Sequence, residues 1–150
     1  MISGSSAVYR LFIRGISNFH MFVYRWTGGT IAGRLGLPSA RFILLITRGR
    51  KTGQPRRVPL LSITDSGNPV VVASFGGLDE PPAWLLNLKA NPEAQVQIGR
   101  KTIKVRAEEV EQAQYERLWS SFVKEYPGYV DYRNRTKRRI PIVILRQDGK

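Results

Sequence analysis

The residue types best suited to chemistry in this chain gather in one turn. Thr47-Arg48-Gly49-Arg50-Lys51-Thr52-Gly53-Gln54-Pro55-Arg56-Arg57-Val58-Pro59-Leu60 carries the cations Arg48, Arg50, Lys51, Arg56 and Arg57 and no acidic residue. An apolar run from Phe42 to Ile46 leads into it, and a second from Val58 to Ile63 leads out. Gly49 and Gly53 permit positive φ and let the backbone come close to a ligand. Guanidinium groups and free backbone N–H groups in one turn make a cradle for phosphate or carboxylate oxygens. A solvated hairpin tip that is merely basic has the same composition, and short motifs match often by accident. The turn alone leaves both readings open.

A second set is Tyr126, Tyr129 and Tyr132. Tyrosines three apart share one helical face, and taken alone they read as packing residues with hydroxyls at the rim. The chain has no cysteine, so thiol nucleophiles, disulfides and thiolate metal sites are excluded. Its single histidine, His20, reads as structural and cannot support a histidine metal cluster or a Ser-His-Asp triad. No metal site is expected.

Charge points the same way as the turn. The net charge is +13, and no Asp or Glu occurs before Asp65, whereas Arg10, Arg14, Arg25, Arg34 and Arg41 precede the turn. Such a field attracts nucleic acid, an acidic membrane or an acidic cofactor. The aromatics follow core spacing and form no RNA-binding module, so a nucleic-acid partner is not expected.

These residues need elements to position them. The 150 residues suit one domain spanning 1–150, with an amphipathic helix within 1–30 and a barrel core over 40–146. Val8, Leu11, Phe12, Phe19, Phe22 and Val23 recur at helical spacing between about Ser5 and Thr27, and Gly28-Gly29 ends the run. Base rates favour packing of this helix on its own domain. Its aromatics and arginines also suit an anionic membrane surface, which makes the expected location cytoplasmic, with a peripheral place on the inner face of the membrane as the second reading.

Strands are expected at Arg41–Thr47, Pro55–Thr64, Pro69–Phe75, Ala94–Ile98, Thr102–Val110 and Ile140–Leu145. Hairpin turns fall at Asp65-Ser66-Gly67-Asn68 and Gly99-Arg100. Helices are expected from Pro82 to about Asn91, from Glu111 to Glu125, and from Tyr129 to Thr136. About six strands, mostly joined by hairpins, indicate an α+β protein built on an antiparallel barrel. No GxGxxG or GxxxxGK[ST] follows a strand, so neither common nucleotide-binding fold is supported.

Four stretches in order resemble one family: Gly49–Arg56 with Val58-Pro59-Leu60; Val72-Ala73-Ser74-Phe75-Gly76-Gly77; Pro82-Ala83-Trp84 with Asn87-Leu88-Lys89-Ala90-Asn91-Pro92; and Tyr126-Pro127-Gly128-Tyr129 with Tyr132, closing on Ile140–Leu145. Together they look like the deazaflavin-dependent nitroreductases, the coenzyme F-420-dependent quinone reductases. The resemblance implies a split β-barrel and an 8-hydroxy-5-deazaflavin cofactor (coenzyme F-420) with a phosphate and an oligoglutamate tail. FMN is the less favoured alternative. It further implies that Arg50, Lys51, Arg56 and Arg57 bind phosphate and tail, and that Pro59 and Leu60 pass beside the ring system. By the same resemblance Ala73, Ser74, Phe75, Gly76 and Gly77 wrap the cofactor and Trp84 lies against it. Ser74, Tyr126, Tyr129 and Tyr132 are expected to line the substrate pocket.

The implied reaction is hydride transfer from C5 of the reduced deazaflavin to a quinone or nitroaromatic acceptor. Ser74 or Tyr129 would hydrogen-bond an acceptor oxygen as it gains charge. The chain departs from the pattern at Leu85-Leu86, at Phe75, and at Lys137 and Arg139. The first two make the pocket more apolar, which favours quinones over nitroimidazoles; the third adds cations. The competing expectation is a non-catalytic barrel that binds FMN, haem or an apolar ligand.

Overall fold

The computed structural model describes residues 41–74 and 79–148. The expected N-terminal helix with His20, the connector before Arg41, and Phe75, Gly76 and Gly77 lie outside the described residues.

Six strands and three helices follow one another: β1 (Arg41–Arg48), β2 (Pro55–Asp65), β3 (Asn68–Val72), α1 (Ala83–Ala90), β4 (Glu93–Ile98), β5 (Lys101–Glu109), α2 (Gln112–Glu125), α3 (Gly128–Arg135) and β6 (Ile142–Gln147). The strands close into a barrel in the order β1-β2-β3-β6-β5-β4. Every pairing is antiparallel. This is the α+β barrel that the hairpin pattern predicts.

The alternation of strand residues sorts the core into two layers. Ile43 and Leu45 of β1, Val71 of β3, Val96 of β4, Val105 of β5 and Val143 and Leu145 of β6 pack together inside the barrel with Trp84, Leu85 and Leu88 of α1. Ile63, Val70, Val72, Ile142 and Ile144 point the other way and meet Tyr115, Leu118, Trp119 and Phe122 of α2. All five residues of β3 are buried for this reason. The sequence predicts that burial from its run of β-branched residues.

Packing rather than capping holds α2. Its N-cap Glu111 makes no side-chain cap bond, a loss of about 1 kcal/mol. Its buried apolar face outweighs that several times, at about 1.5–3 kcal/mol per large side chain. The hydroxyl of Tyr115 donates to the Ile140 carbonyl at 2.6 Å and fixes the helix to the segment before β6.

The β2–β3 turn is a two-residue hairpin: Asp65 pairs with Asn68, and Ser66 and Gly67 have φ of 50° and 81°. Two consecutive positive φ values match the twist of the flanking strands. β3 ends at Val72, short of the expected Phe75, and β6 starts at Ile142, later than Ile140. A single further bond, Ala73 N–H to the Pro141 carbonyl at 2.9 Å, marks where the two strands part.

Candidate active site

The cationic turn joins β1 to β2 and is held by its own hydrogen bonds. The Gly49 N–H donates to the Gln54 carbonyl and the Gly53 N–H to the Gly49 carbonyl, both at 2.8 Å. Gly53 has φ of 72°, which favours glycine there. A Cβ on Gly49 would lie 3.1 Å from both the Gln54 carbonyl oxygen and Thr52 Oγ1. Thr52 Oγ1 accepts from the Gln54 N–H at 3.2 Å and from Arg56 Nη2 at 3.4 Å. Arg50, Lys51, Arg56 and Arg57 are all exposed. Among the described residues none of the four is paired with a carboxylate.

A side chain from another element braces this turn. Asn87 of α1 is 4% exposed. Its Oδ1 accepts from the Arg50 N–H at 3.2 Å and from Arg50 Nη1 at 3.1 Å. Its Nδ2 donates to Thr47 Oγ1, also buried, at 3.1 Å.

Pro59 and Leu60 lie on the next stretch of β2, opposite Leu44 and Ile43. Among the described residues, β2 from Pro55 to Leu61 pairs only with β1; β3 joins it from Ser62 onward. Among the described residues one edge of this half-strand has no partner strand, which is where a strand tolerates proline. Val58 to Leu61 are half-buried in succession, without the alternation of a covered strand.

Ser74 sits just past the end of β3. Arg138 holds that point: its Nη2 donates to the Ala73 carbonyl at 2.9 Å and to the Ser74 carbonyl at 3.0 Å. Desolvation by burial lowers the Arg138 pKa from its ordinary value; a guanidinium stays charged nonetheless. On the far side of 75–78, the Asp79 carboxylate accepts from Thr136 Oγ1 and from the Lys137 N–H, each at 3.1 Å. The Lys137 N–H is the main cause of Asp79's lowered pKa. The segment after α3 thus bonds to Ala73 and Ser74 and to Asp79.

Tyr126, Tyr129 and Tyr132 come together, but only Tyr129 and Tyr132 share α3; Tyr126 is the extended C-cap residue of α2, and the three lie at different depths. Tyr129 is 7% exposed, while Tyr126 is 42% exposed. Tyr129 meets Tyr126 and Tyr132 edge to face, with centroids 5.4 and 5.7 Å apart. The Tyr126 and Tyr132 hydroxyls are 3.3 Å apart. Burial pushes the Tyr129 hydroxyl far above its ordinary pKa of 10.0. Trp84 is buried in the barrel-interior cluster, which also takes in Val58 and Leu60 of β2. A shallow cavity of about 560 Å³ borders the turn at Arg48, Gly53 and Pro55 and runs across to Lys104 and Asp148. Its lining includes neither Ser74, Trp84 nor the tyrosines.

Two residues that the sequence reading gave no role stand out here. Asn87 carries a signal in retrospect: it is a polar residue three positions after Trp84 and one before Leu88, on the buried side of a helix. Arg138 sits between Lys137 and Arg139 in a charge run, where nothing marks the one member that turns inward. Arg139 itself lies over the Tyr115 ring, its guanidinium carbon 4.3 Å from the centroid.

Comparison with known proteins agrees with this arrangement. The family model for F420H(2)-dependent quinone reductase matches residues 17–147. An F420H(2)-dependent quinone reductase of Mycobacterium tuberculosis (strain ATCC 25618 / H37Rv) is 39% identical over 130 residues, covering 84% of this chain and 86% of that protein. The solved structure of an F420-H2 dependent reductase, FDR-A, superposes with a TM-score of 0.64 at 39% identity, over 69% of this chain and 92% of the other. Another, described as a domain-swapped dimer, gives a TM-score of 0.65 at 35% identity, over 83% of this chain and 93% of the other. With its six-stranded barrel, its cationic turn and a family match over most of its length, the chain belongs to the F420H(2)-dependent quinone reductases, whose cofactor is coenzyme F-420.

Proposed function

We propose that this chain, as one domain, catalyses reduction of a quinone by reduced coenzyme F-420. In this reading Arg50, Lys51, Arg56 and Arg57 hold the phosphate and acidic tail, and β2 at Pro59 and Leu60 runs beside the ring system. The observation that carries it is the donor set: exposed cations without carboxylate partners, on a turn ordered by its own hydrogen bonds. A phosphate followed by several carboxylates uses all of those donors, and arginine offers them in pairs. The residues present therefore fit the cofactor.

When bound, the reduced deazaflavin supplies a hydride at C5. The chain's own part is to hold, orient and polarise. Ala73 and Ser74, pinned by Arg138, together with Phe75, Gly76 and Gly77, close around the cofactor, and Trp84 backs it from within the barrel. Ser74, Tyr126, Tyr129 and Tyr132 line the acceptor side, where a hydroxyl donates to an acceptor oxygen as it gains charge. Quinones are the preferred acceptors and nitroaromatics the second class, because Leu85, Leu86 and Phe75 are apolar. Residues 5–27 add peripheral contact with an anionic membrane, which suits a lipid-borne acceptor and a cytoplasmic location on the inner face. Among the described residues no helix is long and apolar enough to cross a membrane.

Titration of the purified protein with coenzyme F-420 and with FMN tests the cofactor. F-420 is expected to bind more tightly. Arg56→Ala and Lys51→Ala should each weaken it, more at low salt than at high, because exposed charge contacts are screened. Preference for FMN or haem without turnover would make the barrel a carrier. Unchanged affinity in both variants at all salt concentrations would remove the turn from the site.

A further inference from the structure

The cations of the turn can meet a ligand only if the turn keeps its shape, and the contact that ties it to the barrel's helical plug comes from Asn87. Its amide is used at both ends. Oδ1 takes two donors from a single residue, the backbone N–H and Nη1 of Arg50, while Nδ2 reaches the Thr47 hydroxyl on the last buried position of β1. Both donors of Arg50 need an acceptor, so the amide orientation is fixed by the network. Thr47 is 2% exposed and Asn87 4%. A buried amide satisfied in this way is a rigid joint, and losing it leaves polar groups unpaired in a dry site.

We infer that Asn87 is a positioning residue that sets the turn's selectivity for the phosphate-bearing, glutamylated form of the cofactor over the same deazaflavin lacking phosphate and tail. This rests on the proposed role of the turn. It acts through Arg50: the joint aims that guanidinium and the peptide N–H groups that follow it, and among the described residues the Asn87 amide bonds go to Arg50 and Thr47. Its mate Thr47 pairs with Arg56 across β1 and β2, so the joint also fixes the strand from which Arg56 rises. The effect on binding should therefore appear only for ligands that reach the turn.

The test compares two ligands on the full chain: coenzyme F-420 and the deazaflavin riboside that stops before the phosphate. Asn87→Ala should weaken F-420 binding about tenfold, roughly 1.4 kcal/mol, and change binding of the truncated ligand less than about twofold. Asn87→Asp sets a carboxylate against the Arg50 guanidinium, so it should also weaken F-420, whose phosphate and tail are anionic, and change binding of the truncated ligand less than about twofold. Thr47→Val removes the joint from its other end without touching the helix and should reproduce the selective loss, which keeps the test decisive if Asn87→Ala does not fold. Equal weakening of both ligands by Asn87→Ala or by Thr47→Val makes Asn87 a structural residue and overturns the inference. Retention of full F-420 affinity by Asn87→Ala overturns it as well. Should the unmodified protein bind both ligands equally, the role of the turn itself fails, an outcome read from the wild type before any variant is compared.

Discussion

Tyr129 is held by four rings. Trp119 and Phe122 of α2 meet it at centroid distances of 6.1 and 5.7 Å, and Tyr126 and Tyr132 close the other sides. Its raised pKa, caused first by desolvation, keeps the hydroxyl protonated at any physiological pH, so it acts as a donor and not as a base. Three-residue spacing makes the shared face of Tyr129 and Tyr132 legible in the sequence, but not the place of Tyr126, which caps α2. Their depths are not legible, because depth depends on where α2 lies against α3. Tyr129→Phe removes the hydroxyl and keeps every ring contact. If that hydroxyl supports the acceptor, single-turnover oxidation of the reduced cofactor by menadione should slow about tenfold, or roughly 1.4 kcal/mol. Cofactor affinity should hold within about twofold, and the melting temperature should barely move. Normal turnover in the variant would return Tyr129 to pure packing.

Elements are tied to one another by a few exposed pairs whose contribution depends on pH. The β2–β3 hairpin is fastened to α2 by Arg117, which donates from Nη1 and Nη2 to the two oxygens of Asp65 at 2.8 and 3.3 Å. Hydrogen bonding from Arg117 is the first cause of Asp65's lowered pKa, and desolvation by burial opposes it. A carboxylate whose folded pKa lies below its unfolded value adds stability above the unfolded value and loses it as pH falls through the folded one. The ordinary value is 3.8, so the pair contributes fully near neutrality and fades below about pH 4. Asp65→Asn should lower stability at pH 7 by an amount typical of exposed pairs, about 0.2–1 kcal/mol. Denaturant melts at pH 7 and pH 2.5 check it; a deficit that persists undiminished at the lower pH would point to a cause other than the charge. The same hairpin shows what element-level reading can do. Asp65-Ser66-Gly67-Asn68 announces its turn because positive φ restricts the residues allowed there. The end of β3 is not announced, since the fall in strand propensity from Val72 to Ala73 is a context-dependent signal and the strand stops where its partner β6 diverges.

At the scale of the whole molecule, closure depends on contacts between distant parts of the chain. β3 pairs with β6 across α1, β4, β5 and both later helices, and β1 pairs with β4 to complete the ring. Hairpins can be read locally from turns and alternation, but nothing in Val70–Val72 or Ile142–Ile144 names the other as partner. An antiparallel barrel is legible in the number of strands and hairpins, and the split-barrel family in four motifs taken in order; Asn87 and Arg138, which act through folded neighbours, are not legible. Among the described residues the six strands fall between Arg41 and Gln147 and close the ring among themselves. Deleting residues 1–24 should therefore leave a cooperative melt and cofactor binding intact. If the segment docks on lipid through its aromatics and arginines, the same deletion should abolish co-sedimentation with anionic vesicles, and the full chain's co-sedimentation should weaken as salt rises. A truncated protein that no longer melts cooperatively would assign the segment to the core, and the peripheral membrane contact would fall with it.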